Sequence, residues 1–272
     1  VNPTHDASET GRSLGLANFL SPCLNDFCTT LAPELSRVLG APVYFDEVAS
    51  VNDIERGEVD MAFLCGLPYT RIVDRAGPVL MPLVAALVDD PRVAERPVYF
   101  SELVVSANSP HRQLADLHGV IFGYNETGSF SGFVNLGAAL AGRGLDWHFF
   151  GRCIETGSHA DSLRMVAGGQ IDVAAIDSHA LTMEVARDPA LRARLRVVES
   201  VGPYPMPPLV ISSRLGVASR DAIARVLLGL HECQGTVRET MRQCAIVRLA
   251  GVSDNFYDPV RDAARSVPPL TR

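Results

Sequence analysis

The segment FGYNETGSFSGFVNL, Phe122 to Leu136, reads as the end of a strand, a tight polar turn and the start of a helix. Its centre, Gly128-Ser129-Phe130-Ser131-Gly132, comes close to the elbow of a serine hydrolase. That elbow needs serine at the strained middle position. Here Phe130 is in the middle and the serines flank it, so a nucleophile is not predicted. What Thr127-Gly128-Ser129-Phe130-Ser131 does supply is a set of helix-start amides, a glycine that permits close approach, and small hydroxyl donors. Those are the parts of an anion cradle. Capping of the helix by Thr127 or Ser129 is equally consistent with the pattern.

The strand–turn–helix pattern recurs in both directions from this segment. Upstream, SLGLANFL (13–20) predicts a strand, Ser21-Pro22 opens a helix that Gly40 ends, and PVYFDEV predicts a second strand. VNDIERGEV reads as a short helix, DMAFLCG as a buried third strand, and LPYTRIVDR as a helix start; VLMPLVAALV and PVYFSELVVSA read as two further strands. Downstream, Ser129 to about Arg143 predicts a helix and LDWHFF a short strand. SHADSLRMVAGG predicts a helix, IDVAAID a strand, SHALTMEVAR a helix and LRVVES a strand. Four prolines at 203, 205, 207 and 208 forbid a helix in the crossing VGPYPMPPLVI, PLVISS returns as a strand, and the chain from Arg220 reads as largely helical. Two α/β series joined by two extended crossings predict two lobes, 1–104 plus 204–272 and 105–203.

Composition narrows the chemistry. The chain has 272 residues, 47% of them hydrophobic, which suffices for two lobes of ordinary size. A formal net charge of −7 excludes a global nucleic-acid footprint. All 24 basic residues are arginine, which removes the P-loop lysine, the Schiff-base lysine and a lysine general base. No apolar run is long enough to span a bilayer. The opening VNPTHDASETGRS has no signal-peptide core, so the expectation is a periplasmic protein if a leader has been trimmed and a cytoplasmic one otherwise. Of the cysteines, Cys65 and Cys153 read as small core residues, and Cys23 and Cys28 point about 140° apart on a helix, too far for a shared metal. No metal or cofactor motif is present, and no catalytic residue is predicted.

In open sheets ligands bind beyond the carboxyl ends of parallel strands. That rule selects Ser21, the turn before Tyr69, the cradle at 127–131, the loop carrying His159, and Asp177 at the end of IDVAAID. A packed histidine and a helix-capping aspartate are the plain alternatives for His159 and Asp177. Tyr69 and Tyr99 are suited either to walling a pocket with hydroxyl tips or to packing within a lobe.

Four motifs in order, FGYNETGSFSGFVNL, TGSHADSLRMVAGGQIDVAAIDSHAL, PYPMPPLVIS and VSDNFYDPVRDAA, resemble the phosphonate-type solute-binding proteins of ABC transporters. The resemblance runs from about Leu14 to about Ala264. It implies a type II periplasmic-binding fold: α/β, two lobes, each a mixed sheet flanked by helices, with the ligand in a cleft that closes by a hinge. It further implies that Ser129, the Phe130 N–H and Ser131 hold phosphonate oxygens, that His159 joins them, and that Tyr69 and Tyr99 belong to the binding set; the cradle reading of the turn adds Thr127. Asp177 matches the carboxylate that meets the amine of aminophosphonates, and Asp161 stands near a second such position. One departure is Phe130, which replaces the threonine of the usual Ser-Thr-Ser-Gly turn and removes one hydroxyl. The predicted function is therefore capture of a small oxyanion, a phosphonate, phosphite or phosphate ester, for an ABC permease. The alternatives carried beside it are a cytoplasmic enzyme and a ligand-sensing module on the same fold.

Overall fold

A computed structural model describes residues 12–270. The chain begins with β1 (Leu14–Asn18), α1 (Asn25–Leu39), β2 (Val43–Asp46), α2 (Val51–Arg56), β3 (Met61–Phe63), α3 (Gly66–Ala76) and β4 (Leu80–Val88). It continues through β5 (Val98–Ser106), β6 (Ile121–Tyr124), α4 (Asn135–Ala141), β7 (Arg152–Glu155), α5 (His159–Ala167), β8 (Val173–Asp177), α6 (Ser178–Arg187), α7 (Pro189–Ala193) and β9 (Leu195–Pro205). It ends with β10 (Pro208–Ser212), α8 (Val217–Gly229), α9 (Thr236–Gln243), β11 (Ile246–Gly251) and α10 (Asp258–Ser266).

These elements form two units. The first spans 12–90 and 206–256, and the second 91–205 and 257–270. The first holds a six-stranded sheet in the order β11-β4-β10-β3-β1-β2, in which β1 runs parallel to β2 and β3 while β10 and β11 pair antiparallel. The second holds five strands in the order β7-β6-β8-β5-β9, with β6 parallel to β7 and β8, and β5 antiparallel to both its neighbours. Both sheets are mixed and flanked by helices.

The division falls elsewhere than at residue 104. β5 carries its full register with β8 and β9, from Val98 opposite Pro205 to Ser106 opposite Leu195, so the whole strand belongs to the second sheet. The chain's last helix does too. α10 packs on α4, and Trp147 Nε1 donates to Pro268 O at 2.9 Å.

Three local expectations are corrected. LDWHFF is no strand: Trp147–Phe149 is a 3-10 turn capped by Asp146, and the strand is Arg152–Glu155. Trp147 and Phe150 are three apart and both turn inward, stacking on Phe122 at 5.9 and 4.7 Å between centroids. That spacing suits a turn, since a strand would send alternate side chains to opposite faces. The tail after Arg220 contains β11, whose buried Ile246 and Leu249 lie on either side of a register shift in its pairing with β4. Cys65 and Cys153 are half-buried, whereas Cys23, Cys28 and Cys244 are the buried thiols; none of the six forms a disulfide.

The helices match their capping signals. Ser21 Oγ accepts from Cys23 N at 3.2 Å at the opening of the first helical segment, and Gly40 closes α1 at φ 63°. Helix α1 buries Phe27, Cys28, Leu31, Ala32 and Leu35, the stripe expected of a helix facing a sheet. In the second unit Leu163 and Val166 of α5 pack with Val104, Ile171, Ala174 and Ile176.

Candidate functional site

In the second unit, β6, β7 and β8 run parallel, so Tyr124, Glu155 and Asp177 share one edge of the sheet. β5 runs the other way, which brings the region of Tyr99 to Ser101 to the same edge, with Ser101 directly opposite Asp177. The second-unit loops predicted to carry chemistry therefore leave from a common edge.

The segment after β6 folds as a single π-helical turn, Phe130–Val134, that feeds α4. Val134 N reaches back to Ser129 O at 3.1 Å. Such turns widen the helix locally and often mark functional positions. Ser129 is the N-cap, with extended backbone, and its Oγ accepts from Gly132 N at 3.1 Å. The leading amides of a helix have no partner inside it. Capping accounts for the Gly132 amide and leaves those of Phe130 and Ser131. Gly132 leaves room for the Asn125 side chain: a Cβ there would sit 1.8 Å from Oδ1.

Ser131 is the hub of the turn. Its carbonyl accepts from Ser101 Oγ at 2.5 Å, and its own Oγ lies 3.2 Å from His159 Nε2. His159 opens α5, behind the N-cap Ser158, whose Oγ accepts from Asp161 N at 3.0 Å. Burial lowers the His159 pKa from its ordinary value, against the opposing pull of the Asp177 and Glu184 carboxylates. The imidazole is therefore neutral near pH 7. Its Nδ1 is buried with no hydrogen-bond partner among the described residues.

The Phe130 side chain turns inward. Its ring is 1% exposed and packs edge-on against Tyr204, 4.9 Å between centroids. The bulk that replaces threonine goes into the core of this unit, and only the amide remains at the helix start. Burial also raises the Tyr204 pKa.

Asp177 is the N-cap of α6: its Oδ1 accepts from His179 N at 2.8 Å and Ala180 N at 3.0 Å. Beside it, Ser178 Oγ accepts from Phe100 N at 3.1 Å, tying α6 to β5. Asp161 is tied to the Ser158 hydroxyl at 2.6 Å and to Arg164 at 2.7 Å. Thr127 is exposed at the tip of the turn. Tyr99 is buried in β5, opposite Tyr204 of β9. Tyr69 belongs to the first unit, where it is buried in α3 and its hydroxyl donates to Asp254 Oδ1 at 2.5 Å. Ser101 was not singled out from sequence. It sits inside an apolar strand run, and only the β5–β8 register shows that it faces the cradle.

A family model for the periplasmic substrate-binding proteins of phosphonate ABC transporters matches residues 23–257. Among solved structures, PhnD1 from Prochlorococcus marinus in complex with methylphosphonate is similar with a TM-score of 0.80 at 18% identity, covering 93% of this chain and 97% of that one. A binding-protein component of the phosphonate ABC transporter of Pseudomonas aeruginosa gives 0.78 at 18% identity, covering 92% and 85%. The aliphatic sulphonate binding protein SsuA of Escherichia coli gives 0.55 at 16% identity, covering 95% and 80%.

Proposed function

We propose, for a chain that belongs to the family of periplasmic substrate-binding proteins of phosphonate ABC transporters, that the turn Ser129–Ser131 is the site that receives the phosphorus oxyanion. The observation that carries this reading is the coupling of Ser131 to His159 at 3.2 Å, next to helix-start amides that capping leaves over. A neutral His159 with its proton on Nε2 donates to Ser131 Oγ. The serine proton is then directed to a ligand oxygen, and the amides of Phe130 and Ser131 supply two more donors. Hydrogen bonds to a charged group contribute about 1.5–3 kcal/mol each. The α4 N-terminus adds a favourable field for negative charge.

The proposal extends to the substituent. Asp177, its Oδ1 already engaged by two amides, selects what the oxyanion carries. Tyr99 of β5 and Thr127 at the tip of the turn complete the binding set. Methylphosphonate, phosphite, phosphate and 2-aminoethylphosphonate, titrated separately by calorimetry, test the assignment. At least one should bind saturably, and Ser131→Ala should weaken it about tenfold or more. Silence toward all four by a folded protein would overturn it.

The family hands its ligand to a membrane permease, so we place this chain outside the cytoplasmic membrane. Among the described residues no helix is long and apolar enough to cross a membrane. Fractionation of cells expressing the native gene tests this location; recovery in the cytosol alone would contradict it.

A further inference from the structure

The first unit contains a recess that the proposed function does not use. It has a volume of about 280 Å³ and is bordered by Leu14 and Leu215 on its apolar side and by Arg12, Asp60, Arg214 and Ser219 on its polar side. Leu14 starts β1, so the recess lies at the amino end of the parallel strands, opposite the edge where α3 begins after β3.

Two guanidinium groups converge there on one oxygen. Arg12 Nη2 donates to Gly57 O at 3.2 Å and Arg214 Nη1 to the same oxygen at 3.4 Å, while Arg214 Nη2 reaches Arg56 O at 3.3 Å. The Arg214 guanidinium lies against Gly57 so closely that a Cβ at that glycine would fall 1.7 Å from Nη1. Among the described residues, the carboxylate bonded to this pair is that of Asp60. Asp60, 3% exposed, bonds Arg12 at 3.1 Å and also accepts from Gly15 N at 3.0 Å. Arg56 is matched by Asp53 and Glu58. Arg214 has no carboxylate partner among the described residues. Two cations are thus fixed side by side by backbone carbonyls, with one carboxylate bonded to them among the described residues, in a chain that carries −7 overall. Like charges held this close repel, and an oxyanion beside them relieves the repulsion. Arg214 spends two of the five N–H donors of its guanidinium on carbonyls, which leaves three.

We propose that this recess is a second binding site, for a small organic anion with one oxyanion head on the arginines and a short aliphatic body against Leu14 and Leu215. Its volume suits a small ligand. The experiment uses the full chain with Ser129→Ala and Ser131→Ala already in place, so that the cradle does not contribute. Amide spectra are recorded by NMR while n-butyrate is added through and beyond about 1 mM. The expected result is saturable shifts at Gly57, Leu215 and Ser219. Affinity should fall about tenfold or more on Arg214→Gln, and equally on Ser219→Asp, which puts a negative charge in the recess at a helix-start position where aspartate is tolerated. A linear response without saturation, or an affinity that neither variant changes while both keep the parent far-UV spectrum, overturns the proposal. Phosphonate binding by the unaltered protein is read separately and does not depend on this outcome.

Discussion

Ser131 and His159 set the chemistry at the scale of single residues. Ser131→Ala removes the hydroxyl next to Nε2 while leaving both amides in place, so it should weaken oxyanion binding without abolishing the fold; calorimetry and a melting curve on the same sample check this. His159 has a second signature. Its folded-state pKa is lowered, so the unfolded chain binds the proton more readily. The stability it contributes is complete above its ordinary value of 6.5 and is lost as pH falls below that value toward the lowered one. Urea midpoints at about pH 7.5 and about pH 5.5 should therefore separate more for the parent than for His159→Gln. Equal separations would show that the imidazole is not held neutral by its surroundings. What was legible at this scale is position: Ser129 and Asp177 cap helical segments after strands, and Ser131 and His159 stand at helix starts, as strand-end and helix-start chemistry predict. The direction of Phe130 did not follow. A phenylalanine between two serines gives no sign of which way its ring turns, and the Tyr204 contact that decides it lies 74 residues away (204 − 130).

At the scale of elements, caps and close packing position the site. Asp177→Ala should lower stability by about 0.5–2 kcal/mol through loss of the α6 cap, whereas Asp177→Asn, which keeps a capping oxygen, should stay near the parent. Denaturant titration distinguishes the two. Asn at 177 also removes the charge, so a changed preference between 2-aminoethylphosphonate and methylphosphonate in that variant would mark the carboxylate as the selector. Gly137 marks where α4 meets its neighbours: a Cβ there would stand 2.7 Å from both Trp147 Cζ2 and Val267 Cγ1. Trp147 is stacked on Phe133 at 4.2 Å between centroids and cannot move freely. Gly137→Ala should cost about 1–3 kcal/mol, seen as a lower urea midpoint. Most elements could be read from apolar periodicity and from Gly, Pro and Ser punctuation. LDWHFF was misread because its aromatics satisfy strand propensity, while long-range stacking on Phe122 and Phe133 fixes them in a turn. IVRLAG at 246–251 is short and follows two helices, and only pairing with β4 reveals it as a strand.

For the whole molecule, the two α/β series were visible as alternating patterns, and both sheets have the mixed order that two crossings require. The division point was harder to see. β5 is apolar along its length, and nothing local shows that its partners are β8 and β9 rather than β4. The terminal helix was also hidden, since its place beside α4 depends on a contact spanning 121 residues, from Trp147 to Pro268. The central claim concerns one turn within this architecture, and ligand linkage reads it out globally. A ligand that binds only the folded state raises stability by about 2.7 kcal/mol at a hundred times its dissociation constant. The most direct test is calorimetric titration of methylphosphonate and phosphite into the parent and the Ser129→Ala/Ser131→Ala double variant. The account predicts one-to-one saturable binding by the parent and a loss of about a hundredfold or more in the double variant with its fold intact. Equal affinity in the two proteins would place the oxyanion elsewhere and contradict the account.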